Sequence, residues 1–423
     1  MEAAMNEKAR IGFVSTRLAG TDGVSLETAK WSKVLTEMGH QCFYFAGDVD
    51  RPEEWSYVVP EAHFEHPAIA RINIDLFDDY IRSDETTRTI NELSDHLDGH
   101  LHEFVGKFDL ELLIAENALA IPMNIPLGLA LTRVIAETNL PTLAHHHDFA
   151  WERERYAVTA ADDYLRAAFP PTLYSIHHVV INSFAGRQLA LRTGSSSTLI
   201  PNVMDFESPP PKPNPQYADI RVALGIREDE CFLLQPTRIV PRKRIEQAIE
   251  LTRRLEMPCV LAISHSSGDE GVAYESYLRE YADIMGVRLL LAGDICAYGP
   301  SSMADGRKIY GLPDVYQQAD LVTYPSTVEG FGNAFLETIY YRRPIVMGAY
   351  EIFKTDIKPK GFKVVEFQQF IEEATVRQTR DLLRDPNLAA EIVEHNYQLG
   401  RQHYSYATLE KRLAALVSEC MGD

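Results

Sequence analysis

Apolar positions along the chain fall into short runs that alternate with longer stretches of helical period. Ile11–Ser15 reads as a strand, Leu18–Ser25 as a glycine-bearing loop, and about Leu26–Met38 as an amphipathic helix that Gly39 and His40 bring to an end. Gln41–Ala46 supplies the next strand. Two helical stretches, Ser83–Lys107 and Ile125–Thr138, surround a strand at Leu110–Ala115, and the run from Leu140 reads as a strand passing into a loop at His145-His146-His147. In the second half, Phe232–Gln235, Pro258–Ile263, Arg288–Leu291, Leu321–Tyr324 and Ile345–Met347 are strand candidates between helical segments. This alternation predicts an α/β fold with parallel sheets.

The pattern breaks at Pro201–Pro215, where repeated prolines stop both helix and ladder. A chain of 423 residues is too long for one ordinary domain, so the break divides it into residues 1–205 and a second domain over 206–397. The tail, 398–423, has helical spacing of Leu409, Leu413, Leu416 and Val417. No run of eighteen apolar residues occurs and Met1–Arg10 is charged, so neither a membrane span nor export is expected and the protein is placed in the cytoplasm. Cys42, Cys231, Cys259, Cys296 and Cys420 are scattered without a C-x-x-C pair and read as reduced thiols. Residues 1–205 carry 16 Lys and Arg against 30 Asp and Glu, a net −14 of the total −20. That half should repel nucleic acid and anionic lipid, which favours a soluble acceptor and argues against stable membrane association.

Candidate chemistry concentrates in two segments of the second half. Glu329-Gly-Phe-Gly-Asn-Ala-Phe-Leu-Glu337 places two carboxylates eight residues apart around a turn, Gly330-Phe331-Gly332, that opens a helix at Asn333 and Ala334. Backbone N–H groups near Gly332, Asn333, Ala334 and Phe335 are expected to lack intrahelical partners and, with the helix dipole, to suit a diphosphate. About ninety residues earlier, Arg238 and Lys243 flank a strand-to-helix loop. Two cations there would neutralise a diphosphate and stabilise charge growing on it. Arg242 and Arg244 read as ordinary surface charge.

Glu329 to Glu337, with the strand and Pro-Ser break before it, resembles the E-x7-E signature of the retaining family 4 glycosyltransferases, as does the Arg238/Lys243 spacing. The opening strand-loop-helix-strand with Gly39-His40, and the Ile200–Asp205 boundary, are similar to the same family. The resemblance implies a GT-B fold of two Rossmann-like domains facing an interdomain cleft, the tail crossing back to the first domain. The expected reaction is hexosyl transfer, glucosyl or mannosyl favoured, from a nucleotide sugar to a small polar acceptor. GDP-mannose or UDP-glucose is the favoured donor, and a sugar or a sugar acid of the glycosylglycerate, compatible-solute type the acceptor, with no cofactor or metal required.

Carried over by matching position, Glu329 meets donor-sugar hydroxyls, Glu337 the ribose, and Tyr310–Leu312 the base, without telling uridine from guanosine or adenosine. Gly23 occupies a position where the family often has Gly-Gly and is expected near donor phosphate or acceptor; Asp22 beside it binds acceptor hydroxyls or caps a helix. The family places a histidine at the reacting centre, here His147 first and His146 second, with Asp148 beside them. Arg153 and Arg155 either pair with Glu152 and Glu154 or recognise an acceptor carboxylate or phosphate, Arg153 being the one assigned to the acceptor. The three histidines also invite a metal, which the absence of a partner Cys or second His pair disfavours. Asp48-Val-Asp50 reads as a solvated loop. The competing classes are a phosphorylase using the same cations for inorganic phosphate, a sugar-nucleotide epimerase and an inert nucleotide-binding protein.

Overall fold

The computed structural model describes residues 8–212, 214–266, 272–297, 299–302 and 306–422; the expectations for Met1–Glu7 and Pro213 lie outside them. In the first half the strands are β1 (Arg10–Val14), β2 (Gln41–Ala46), β3 (Ser56–Val58), β4 (Leu112–Glu116), β5 (Thr142–His146), β6 (Ile176–Val180) and β7 (Thr198–Leu199). The second half adds β8 (Cys231–Gln235), β9 (Cys259–Ile263), β10 (Arg288–Leu291), β11 (Cys296–Ala297), β12 (Ser301–Ser302), β13 (Lys308–Gly311), β14 (Leu321–Tyr324), β15 (Ile345–Gly348) and β16 (Val365–Phe367).

One sheet has the order β3-β2-β1-β4-β5-β6-β7 and another β10-β9-β8-β14-β15-β16, with β11-β13-β12 as a small third. Every neighbouring pair in the two large sheets is parallel. These are the two Rossmann-like sheets of a GT-B fold. Parallel strands need helical crossovers, which cover both faces, so β4 and β5 are buried from end to end.

The chain divides into unit 1, Met1–Asn202 with Tyr406–Asp423, and unit 2, Val203–Ser405. The divisions fall at 202/203 and 405/406 rather than at 205/206 and 397/398, because the helix Pro386–Tyr404 runs on past Gln398. Its Tyr397 ring lies 5.3 Å from that of Phe206, and Tyr397 donates its hydroxyl to the Phe206 carbonyl at 3.2 Å. Gly400 makes this packing possible, since a Cβ there would come within 2.6 Å of the Phe206 ring. Within unit 1, the final helix Tyr406–Met421 buries the expected Leu409, Leu413, Leu416 and Val417 stripe and sets Tyr406 4.9 Å from Lys33 Nζ. Among the described residues no helix is long and apolar enough to cross a membrane.

The helix Gly23–Glu37 begins three residues before the periodicity suggests, because the Asp22 carboxylate accepts from Val24 and Ser25 N–H, both at 3.1 Å. β6 escapes the sequence pattern because His177 and His178 interrupt its apolar run. His178 is nevertheless buried, and its Nδ1 lies 2.9 Å from His146 Nε2. Burial, followed by the neighbouring His177, lowers the His178 pKa to about 4; burial, followed by His178, puts His146 well below its ordinary value.

The native imidazole of His178 thus binds its proton more weakly than an unfolded histidine near 6.5. Its contribution to stability is whole above about pH 6.5 and is lost as pH falls towards about 4, by up to roughly 3 kcal/mol. Urea unfolding at neutral pH and near pH 4.5 should show the parent losing more stability than His178→Asn. Equal losses would clear this histidine.

Candidate active site

In unit 2 the chain winds outwards from β8 in one direction and from β14 in the other, so these neighbours form the topological switch point. Ligands of open α/β sheets bind at the carboxyl ends of such strands. There Thr323 on β14 donates its hydroxyl to the Gln235 side chain of β8 at 2.8 Å, and Gln235 Nε2 donates to Thr237 at 2.8 Å. The loops beyond are tied together: Thr327 N–H donates to the Arg242 carbonyl at 3.2 Å and Arg242 Nη1 donates to the Val328 carbonyl at 3.2 Å. Arg242 also approaches Glu329 at 3.4 Å, so it anchors the loop rather than serving as plain surface charge.

Lys243 and Glu329 form a direct ion pair, their side chains only 9% and 10% exposed. Burial lowers the Lys243 pKa, with Arg242 and Arg238 acting in the same direction against the favourable pull of Glu329. Burial alone would raise Glu329, but Lys243 and Arg242 more than offset it and hold the carboxylate below its ordinary range. Lys243 Nζ lies 5.3 Å from the ring centre of Tyr324. Arg238 is exposed and, among the described residues, in no ion pair. Beyond the carboxyl end of β9 stands His265, brought to about 4 by burial and then by Arg238 and Lys243, so it is neutral beside the two cations.

The glycine turn is closely packed. Gly332 sits at φ +112 as the cap of the helix Asn333–Tyr340, and a Cβ on it would meet the Tyr350 hydroxyl at 2.3 Å. Tyr350 donates that hydroxyl to the Phe331 carbonyl at 2.8 Å, and the buried Phe331 ring lies 5.3 Å from Tyr404. Phe331 thus secures the turn from inside, while Gly330 is exposed. One expectation is corrected: Phe335 N–H already donates to the Gly332 carbonyl at 2.9 Å, so it is not among the groups left for a ligand. Glu337, one turn on, accepts from the buried Tyr316 hydroxyl at 2.8 Å. The loop expected to read a base is also partly committed. Tyr310 N–H donates to Ile295 O at 2.8 Å and Gly311 N–H to Asp314 at 3.1 Å, while Leu312 is a buried first residue of the next helix.

Unit 1 has its own switch point, between β1 and β4. Strand alternation turns His145 and His147 to one side and His146 to the other, where His146 is buried against His178 and 4.7 Å from the Phe149 ring. His146, the second choice for the reacting centre, is therefore a core residue. On the first side, the buried Glu116 Oε2 lies 2.9 Å from His145 Nδ1 and 3.0 Å from His147 Nε2. An ionised carboxylate only accepts, so both imidazoles donate N–H to it. Burial opposes its charge, yet His145 and His147 hold Glu116 down to about 2. Burial pushes His147 down, but Glu116 overrides it and the net shift is upward; His145, stacked 4.1 Å from Trp31, is lowered by burial. The three ligand atoms lie within 4.8 Å of one another, so the set could also hold a cation in place of those protons.

Asn117 extends the cluster: its Oδ1 accepts His147 N–H at 3.0 Å and its Nδ2 donates to Asp148 at 2.8 Å. Arg153 pairs with Asp148 rather than Glu152, which accepts Phe149 N–H at 2.7 Å, and Arg155 lies 4.6 Å over Tyr156. Of the two readings of Asp22, the cap is the one realised: its second oxygen accepts from Ser25 at 2.7 Å and Arg17 at 3.0 Å. Gly23 is the first residue of that helix. Sequence reasoning missed Glu116, Asn117 and His265. The available signal was position: Glu116 directly follows a buried apolar run, and Asn117 and His265 come one residue later.

The family model described as "Glycosyl transferases group 1" matches residues 306–399. A mannosylglucosylglycerate synthase from Thermotoga maritima is 34% identical over 442 aligned positions, covering 96% of this chain and 99% of that protein. A second, from Petrotoga mobilis, is 32% identical over 84% of this chain and 86% of its own length. Among solved structures, a glycosyltransferase from Rickettsia africae superposes with a TM-score of 0.68 at 12% identity over 98% and 99% of the two chains, a likeness of fold.

Gly332→Ala should destabilise the protein by about 1–3 kcal/mol, since both the backbone angle and the Tyr350 hydroxyl oppose a side chain. A melting temperature within about 1 °C of the parent would show that this turn is free to relax.

Proposed function

The chain belongs to the group 1 glycosyltransferases, as a homologue of mannosylglucosylglycerate synthases, and is a hexosyltransferase; from that premise we propose a specific reaction. It moves a mannosyl group from a nucleoside diphosphate mannose, GDP-mannose as the favoured donor, to an acceptor of the glucosylglycerate type, with retention of configuration. The observation that carries this reading is the 34% identity with the Thermotoga maritima synthase over nearly the full length of both chains. The cations and carboxylates at the unit 2 switch point support it chemically.

Arg238, exposed and without a carboxylate partner among the described residues, receives the donor diphosphate together with the helix start at Asn333 and Ala334. Lys243 turns from Glu329 to the same phosphates and stabilises the charge that grows as the glycosidic bond breaks. Glu329 then accepts hydroxyls of the transferred sugar, and Glu337, oriented by Tyr316, those of the ribose. His147, oriented by Glu116, supports positive charge at the anomeric carbon. The departing phosphate oxygen takes the proton of the incoming hydroxyl on the same face of the sugar. Arg153 is assigned to the glycerate carboxylate. No step calls for a metal.

Purified protein with glucosylglycerate should form a mannosylated product from GDP-mannose, with an α anomeric signal by NMR, and little from UDP-glucose. Glu329→Gln should lower turnover by about 100-fold or more with donor binding largely kept, and Lys243→Ala should weaken both. Near-parental rates in either variant would remove that residue from its role. Equal use of UDP-glucose would overturn the donor assignment, and nucleotide-free, phosphate-dependent cleavage of a disaccharide would favour the phosphorylase.

A further inference from the structure

Cys231 and Cys259 are 28 positions apart in the chain yet stand directly opposite each other, as the paired first residues of β8 and β9. In a parallel pair in register, both side chains leave the same face of the sheet, and adjacent Cα atoms are about 4.8 Å apart. That separation falls inside the roughly 4.4–6.8 Å range a disulfide spans. Cys231 shares its face with Leu233, and Cys259 with Leu261 and Ile263, the face packed under the helices Ile245–Arg254 and Val272–Met285. Neither thiol is sealed in that core. Both are only partly buried, and β10 joins β9 at Val260, one residue beyond Cys259.

We propose that Cys231 and Cys259 are an oxidisable dithiol, a disulfide-forming site at the amino edge of the unit 2 sheet. Contact between the sulfurs makes them unequal: it lowers the Cys231 pKa and raises that of Cys259. The thiol that ionises attacks, and Cys231 is taken as that one. With a peroxide as oxidant, the Cys231 sulfur takes an oxygen atom and becomes a sulfenic acid, the other peroxide oxygen leaving as water. The Cys259 sulfur then displaces the hydroxyl group, which leaves as a second water. Two thiols and one hydrogen peroxide thus give one disulfide and two waters, the sulfurs losing two electrons and the peroxide gaining them.

The other thiols are less suited. Cys42 and Cys296 are buried, and Cys42 and Cys420 belong to unit 1. The new bond would close the segment carrying Lys243 and the helix after it, at the strand ends opposite those that carry the donor-site residues. Oxidation should then stabilise unit 2 without occupying its site.

Folded protein treated with dilute hydrogen peroxide should lose two hydrogens in intact mass and yield a cross-linked Cys231–Cys259 peptide in a non-reducing digest. Its melting temperature should rise by about 5 °C or more, reversed by reductant. Cys231→Ser and Cys259→Ser should each abolish the mass change and the shift, whereas Cys420→Ser should keep both. If a serine variant fails to fold, the digest of the parent decides alone. Recovery of both cysteines as free thiols, or of Cys231 singly over-oxidised beside a free Cys259, would overturn the proposal.

Discussion

A parallel sheet covered on both faces leaves polar chemistry one outlet, the carboxyl edge beside the strand where the winding reverses. Both units obey this constraint. In unit 1 it gathers Glu116, Asn117, His145, His147 and Asp148 at the ends of β4 and β5; in unit 2 it gathers Gln235, Arg238, Lys243, Thr323 and Glu329 around β8 and β14. The remaining positions of the central strands are almost wholly committed to burial, so the side chains available at their ends are few and fixed by topology.

Each edge then faces the problem of a carboxylate out of water. Glu116 and Glu329 both stay ionised, but through different partners. Two imidazole N–H groups stabilise the Glu116 carboxylate in a set that also includes Asn117 and Trp31. Glu329 leans on Lys243 and Arg242, whose charges also suit a phosphate. Removing one partner of a buried pair costs about 3–5 kcal/mol, so Lys243 can leave Glu329 only if something else satisfies both. A nucleotide sugar does that under the proposed function: its diphosphate takes the lysine and its sugar hydroxyls take the carboxylate. Donor binding and release of Glu329 become one event.

Much of this was legible in the sequence, because order of elements and charged motifs in fixed spacing survive without tertiary knowledge. β2 and the helix Ile125–Thr138 match the pattern residue for residue. What escaped depends on pairing across long separations. Glu116 is one acid after an apolar run and gains meaning only when β5 lies beside β4. His146 stood second to His147 until strand alternation placed them on opposite sides. The register of β8 on β9 pairs two cysteines that share no local motif. The end of the second domain moved because Phe206 and Tyr397, far apart in sequence, hold the helix Pro386–Tyr404 together.

The acidity of residues 1–205 at first argues against a carboxylate acceptor there, with a net charge of −14. Screening limits that argument, since at physiological salt charges beyond about 8 Å count for little and the near environment decides. The near environment contains Arg153, whose side chain is 47% exposed and paired with Asp148. An exposed pair of this kind is worth only about 0–1 kcal/mol. Asp148 keeps a second partner in Asn117 Nδ2 at 2.8 Å, so it stays satisfied when the arginine turns away. Under the proposed function, a glycerate carboxylate able to take two guanidinium N–H groups would gain more than that exchange costs. Local geometry therefore makes an acidic acceptor compatible with an acidic unit, and Asn117 is the residue that makes the exchange inexpensive.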